Sequence, residues 1–133
     1  MIRAVDVKAE LARRAVPNRR SPQTSEAEAR AAFVVLAPFR DGSIFAGSFS
    51  GETRWERHRN GDELVYVLDG AATLTIMTAD GPESFTLTAG MVIVVPRGHW
   101  HRFRAPDGIT VLSATPQPTE HTAVADPRQS PAA

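Results

Sequence analysis

Four side chains stand where strand patterning would bring them together: Glu56, His58, Glu63 and His101. In an extended segment, side chains at i and i+2 share a face. Glu56 and His58 therefore point one way, and Trp55 and Arg57 the other. Asn60-Gly61 is a turn signal, and the next segment opens at Glu63, whose i+2 partners Val65 and Val67 are apolar. A hairpin there predicts Glu63 beside Glu56 and His58, about 5 Å across the strand pair. His101 also opens a segment after a turn, with Phe103 and Ala105 on its face and Arg102 and Arg104 on the other. Two imidazoles and one or two carboxylates converging on an apolar interior form a donor set that divalent Fe, Mn, Co, Ni or Zn accepts.

Spacing alone leaves other roles open. Each histidine also reads as a hydrogen-bonded interior side chain. Glu63 also reads as a carboxylate capping a turn. Glu56 is a fourth ligand, an acid behind the ligands, or a surface partner of an arginine. His99 precedes His101 by two residues but follows Pro96-Arg97-Gly98, which makes it a turn residue. His121 lies in a polar stretch and is read as solvated, or as part of an arm folded over the mouth of the site. Trp55 and Trp100 are expected to face outward and to pack against the N-terminal segment or a partner subunit. Tyr66 alternates opposite to Glu63 and is read as structural or interfacial and not catalytic. Arg54, Arg57, Arg102 and Arg104 are expected to keep an outer face soluble, with no role toward a substrate.

The elements that must position these residues are short. From Phe33 onward, apolar runs alternate with turn signals. Strands are predicted over 33–37, 43–50, 53–58, 63–69, 71–78, 84–88, 91–95, 100–105 and 109–114. Asp41-Gly42, Asn60-Gly61, Asp69-Gly70, Asp80-Gly81 and Asp107-Gly108 are read as tight turns. So many short strands at close spacing predict an all-β sandwich or barrel. Residues 1–31 differ. Val7 and Leu11 predict a short amphipathic helix, residues 17–22 a loop, and Ser25 with Glu28 a capping box opening a second helix. The division expected is an N-terminal extension over 1–31, a barrel over 32–115 and a polar C-terminal tail over 116–133, extended or disordered.

Bulk composition excludes several classes. The chain has 133 residues, enough for one domain, and a net charge of zero. That balance argues against a nucleic-acid binder, which shows a basic stripe, and against a polybasic membrane patch. With no cysteine, thiolate ligands, iron–sulfur clusters and cysteine nucleophiles are ruled out. The segment from Met1 to Arg20 lacks the apolar core of a secretory signal. No stretch approaches the roughly 20 apolar residues of a spanning helix. A cytoplasmic location is the expectation.

Two longer patterns complete the reading. Gly51-Glu-Thr-Arg-Trp-Glu56-Arg-His58-Arg-Asn-Gly-Asp-Glu63-Leu-Val-Tyr-Val-Leu-Asp-Gly70 resembles the first cupin motif: Gly, His-x-His, Glu after three or four residues, then Gly after six more. His58 matches the second His, Glu63 the Glu and Gly70 the closing Gly. Gly90-Met-Val-Ile-Val-Val-Pro96-Arg-Gly98-His-Trp-His101 resembles the second motif, Gly-x5-Pro-x-Gly-x2-His. The resemblance runs over about residues 43–114. Two departures stand out: Glu56 replaces the first His, and Ala105 replaces the Asn that ends the second motif.

The resemblance implies a cupin double-stranded β-helix, a jelly-roll barrel with a short helical or irregular N-terminal extension. It implies one divalent transition metal (Fe, Mn, Zn, Ni or Co) on His58, Glu63 and His101, with Glu56 a fourth, oxygen ligand. A metal-free site is the alternative, since cupins include both kinds. The implied activity is a metal-dependent oxygenase, isomerase or lyase acting on a small organic molecule. A non-catalytic binding or sensing module using the same pocket is the second reading, and a vestigial structural cupin the third. Phe45, Phe49, Val65, Val67, Ile93 and Phe103 would give a mostly apolar or aromatic lining. The expected partners are a small-molecule ligand and a second copy of the chain in a homodimer, with neither nucleic acid nor membrane.

Overall fold

Both N-terminal helices form where the sequence places their caps. In the computed structural model, which describes residues 2–130, α1 spans Val7–Arg14. The Asp6 side chain accepts from the Ala9 N–H at 2.9 Å, satisfying a donor the helix leaves free. Val7 and Leu11 pack on Val34, Leu36 and Ala46 of the sheet behind. The second helix, α2, spans Glu26–Ala31, and Ser25 Oγ accepts from the Glu28 N–H at 3.1 Å. The capping box is half formed: the Glu28 carboxylate accepts from the Ser25 hydroxyl at 3.0 Å instead of reaching back to the Ser25 backbone N–H.

The rest is mainly β. In chain order the strands are β1 (Asn18–Arg20), β2 (Phe33–Phe39), β3 (Gly42–Glu52), β4 (Trp55–His58), β5 (Glu63–Thr78), β6 (Gly81–Thr88), β7 (Val92–Val95), β8 (His101–Pro116) and β9 (Thr119–Thr122). They curl into a barrel, as the alternation allowed, and of the jelly-roll kind that the resemblance implied. Two long strands make the curl. The first half of β8 pairs with β4 and the far end of β5, while its second half pairs with β3 and the near end of β5. The core between the layers holds Phe49, Val65, Val67, Leu74, Ile76, Phe103 and Val111.

Several expectations are corrected. Asp69-Gly70 and Asp107-Gly108 are not hairpin turns; they lie inside β5 and β8, whose pairing slips between Val67 and Asp69 and again between Gly70 and Thr73. Gly70 and Gly108 do take positive φ, 80° and 99°, but the conformation serves bulges that bend continuous strands. The slip changes the parity of β5: Glu63, Val65 and Val67 point inward before it, and Ala72, Leu74 and Ile76 after it.

Residues 59–62 turn the chain, yet β4 and β5 do not pair as a hairpin. The backbone edges of β4 are taken by β8 and β9, and those of β5 by β6, β7 and β8. The connection therefore crosses the barrel. Residues 17–22 are not all loop, because Asn18–Arg20 add in parallel to the edge of β3. The polar tail is partly structured as well: Thr119–Thr122 pair antiparallel with β4, and Pro127 is buried in a 3-10 turn. Residues 131–133 of that tail lie outside the described residues.

Trp55 and Trp100 pack hydrophobically, but they are buried with Met77 and do not pack on the N-terminal segment as expected. Arg102 stacks on Trp55 and Arg57 on Trp100, each guanidinium carbon 4.4 Å from the ring centre. These arginines therefore cover aromatic surface as well as facing water. Arg54 is likewise occupied, donating to the carbonyls of Pro22 and Thr24 at 2.8 Å. Tyr66 faces outward, as its parity required. Among the described residues, no helix is long and apolar enough to cross a membrane.

Candidate metal centre

Strand register builds the centre. Glu56 of β4 lies directly opposite His101 of β8 on one side and His121 of β9 on the other. The three side chains thus form a row across three strands, at the close cross-strand spacing of paired residues. One carboxylate oxygen serves each neighbour: Glu56 Oε1 is 3.3 Å from His101 Nε2, and Oε2 is 3.5 Å from His121 Nε2. Two residues along β4, on the same face, stands His58. Glu63 arrives from across the barrel at the start of β5. Its Oε1 is 3.0 Å from His101 Nε2 and its Oε2 is 3.3 Å from His58 Nε2. Glu56 Oε1 is 3.9 Å from His58 Nε2.

The four predicted residues therefore meet, although by a different route from the hairpin expected. One ligand atom from each lies within 4.8 Å of every other. His58, Glu63 and His101 are buried, His101 completely. His58 Nε2, Glu63 Oε1 and His101 Nε2 are all buried without a hydrogen-bond partner among the described residues. They approach one another closely but off the line a hydrogen bond requires. Buried polar atoms are normally paired, so three orphans aimed at one point need a common partner. Donors about 2.0–2.2 Å from one ion stand roughly 3–3.5 Å apart when they are neighbours. Three of the four imidazole–carboxylate separations, 3.0 to 3.3 Å, match that spacing, and the fourth, between Glu56 and His58, is 3.9 Å. Two nitrogens and two carboxylate oxygens suit a divalent first-row metal, whose charge the two carboxylates would balance.

The far nitrogen of each ring is held. His101 Nδ1 lies 3.0 Å from the His99 carbonyl, and His58 Nδ1 lies 3.0 Å from Thr119 Oγ1. An Nδ1–H donated to these oxygens leaves the Nε2 lone pair facing the centre, the tautomer a ligand needs. The Thr115 hydroxyl donates to Glu63 Oε2 at 2.6 Å. Electrostatics favours ionised carboxylates. Burial opposes charge on Glu56 and Glu63, but the adjoining imidazoles overcome it: Glu56 falls well below the ordinary range and Glu63 falls to about 2. Burial also works against a charged His101, and the same two carboxylates overcome it, raising the ring to about 10.

A cavity of about 350 Å³ opens from the centre and is walled by Phe33, Phe45, Phe49, Val65, Phe103 and Val111. Four of these were in the predicted lining. Val67 and Ile93 belong to the packing behind it.

The family model described as "Cupin domain" matches residues 47–113, half of the chain. The chain belongs to the cupin family. Solved structures agree on the fold. A cupin-2 domain protein from Shewanella frigidimarina shares 23% identity with a TM-score of 0.53, over 68% of this chain and 79% of that one. The hydroquinone 1,2-dioxygenase PnpCD, in complex with Cd2+ and 4-hydroxybenzonitrile, shares 19% at 0.56 over 65% and 64%. The Bacillus subtilis oxalate decarboxylase, with Mn(II) centres, shares 18% at 0.53 over 59% and 23%. No curated protein matches the chain.

Within this cupin, the family's first-His position carries a glutamate that faces the same point as the three matched residues. Thr115, Thr119 and His121 all lie outside the matched stretch, and the motifs offered no sign of the two threonines. His99 stays outside the centre and contributes only its carbonyl. His121 is the half of the tail reading that proves right: the arm does fold over the mouth, and its imidazole stands between Glu56 and Glu26 of α2.

Proposed function

We propose that this cupin holds one divalent transition-metal ion on Glu56, His58, Glu63 and His101 and acts as a metal-dependent enzyme on a small organic molecule in the adjoining cavity. The observation that carries the reading is the set of three buried, unpartnered donor atoms converging on one point. The Cd2+ of PnpCD and the Mn(II) of oxalate decarboxylase support it, since the same fold carries a metal in both. The ion, when bound, would supply a Lewis acid with positions open to a ligand. The protein's part is to orient and to exclude water. The His99 carbonyl and Thr119 fix the ring tautomers, Thr115 orients the Glu63 carboxylate, and the aromatic wall keeps bulk solvent from the bound molecule. Oxygenase, isomerase and lyase reactions all fit that division of labour.

Elemental analysis of untagged protein, beside a His58→Ala/His101→Ala double variant, tests the reading. About one equivalent of transition metal is expected in the parent and none in the variant. A parent that stays metal-free after exposure to Fe, Mn, Co, Ni and Zn would sink it.

A further inference from the structure

Arg20 reaches the same cavity from outside the barrel. It ends β1, whose parallel pairing sets it opposite Gly51 of β3. Gly51 has φ 87°, and a Cβ there would overlap the Arg20 carbonyl oxygen, so the close approach requires glycine. From this position the guanidinium lies over two rings of the cavity wall, 4.7 Å from the centre of Phe49 and 5.4 Å from that of Phe33. Nη2 donates to the Ala29 carbonyl at 2.7 Å. Nε is buried and has no hydrogen-bond partner among the described residues. Among the described residues no carboxylate lies within 4.0 Å of Arg20; Glu56 acts on it only at longer range.

A half-buried guanidinium whose buried Nε–H is unused is under-compensated. Charge balance inside the cavity points the same way. Two carboxylates neutralise a divalent ion, and Glu26 and Arg30, which also line the cavity, cancel in formal charge, which leaves Arg20 as the surplus positive charge beside an aromatic wall. Phosphate groups are usually gripped by several donors at once. Here one guanidinium, already committed at Nη2, lies over the two phenylalanine rings, while Arg30, also in the lining, is exposed; that arrangement suits a single carboxylate.

We propose that Arg20 is the anion-binding residue of this cavity and that its ligand is a small organic carboxylate with an apolar or aromatic body. The assignment deepens the metal-centred reading for the ligand's far end, but Arg20's part stands on its own geometry. Calorimetric titration tests it with benzoate, phenylacetate and hexanoate, each against its neutral amide. The proteins are the parent, Arg20→Gln and Arg20→Lys, each Co(II)-loaded and metal-free, with thermal unfolding of each alongside.

In the parent, at least one carboxylate is expected to bind at least tenfold more tightly than its amide in both forms. Arg20→Gln is expected to lose that preference. Arg20→Lys, which keeps the charge but not the planar fork, is expected to lose at least threefold of it. Equal binding of acid and amide by the parent, or no binding of either, overturns the proposal. So does a preference unchanged in Arg20→Gln, which would make Arg20 a strut between Ala29 and the rings. If Arg20→Gln does not fold, an unchanged preference in Arg20→Lys overturns it. Failure to retain Co(II) counts against the metal centre alone, and the metal-free titrations then decide on Arg20.

Discussion

Thr119 holds His58 by a single hydrogen bond to Nδ1, and it does so from a segment outside the family match. Replacing the hydroxyl with a methyl, Thr119→Val, keeps the side-chain shape and removes the acceptor. The ring is then free to turn or to change tautomer, and the proposed centre loses one oriented donor. Co(II) affinity is expected to fall about 10- to 100-fold, the usual effect of losing such a supporting bond. Thr119→Ser, which keeps the acceptor, should retain affinity. Competition with a chromophoric chelator measures both, and affinity within twofold of the parent in Thr119→Val would show that the bond does not position His58. The sequence made His58, Glu63 and His101 legible because their positions carry strand parity and motif spacing together. Glu56 was legible by parity alone. Thr119 was invisible because a hydroxyl in a proline-containing polar stretch has no apolar alternation around it. Arg20 was invisible for a related reason, since nothing in Asn18-Arg19-Arg20 marks which arginine turns inward.

At the scale of the elements, strand existence was readable and strand continuity was not. Alternation located nearly every segment, yet β5 and β8 each appeared as two strands, because Asp-Gly pairs signal positive φ without saying whether a turn or a bulge uses it. Likewise Asn60-Gly61 marked a real turn, but local sequence does not encode which strands pair on either side of it. The bulges are tertiary features in which β5 and β8 bend against each other. A Cβ on Gly70 would overlap the Gly108 carbonyl oxygen and crowd Ile109 Cα at 3.0 Å, whereas one on Gly90 meets nothing within 4 Å. Both residues have positive φ, so the pair separates strain from contact. Gly90→Ala should cost about 1–2 kcal/mol, the penalty for a side chain in that backbone region. Gly70→Ala adds a backbone overlap and should cost about 3 kcal/mol or more. Urea denaturation reads the difference. Equal losses would mean that the two strands separate readily and that their contact does not fix the bend.

Across the whole molecule, the centre ties distant parts of the chain together: β4 and β9 from one side, the start of β5 from the other, and β8 passing between. Its ionisation is therefore linked to folding. In metal-free protein, Glu63 is held down to about 2 and His101 up to about 10. The stabilisation from Glu63 is complete above its ordinary value of 4.5 and is lost as the pH falls toward 2. That from His101 is complete below its ordinary value of 6.5 and is lost as the pH rises toward 10. As far as these two groups decide it, metal-free protein is most stable between those ordinary values and weakens on the alkaline side. A metal ion on His101 Nε2 takes the place of that proton. Between pH 7 and 9, binding should then release about one proton, and affinity should rise about tenfold per pH unit. At fixed, saturating free metal, the gap in unfolding free energy between loaded and metal-free protein should widen by about 1.4 kcal/mol per pH unit. Urea unfolding at pH 7, 8 and 9 in a metal buffer measures the gap directly. A gap that stays flat would mean that no proton leaves His101 on binding, and that the ion, if held, does not use its Nε2.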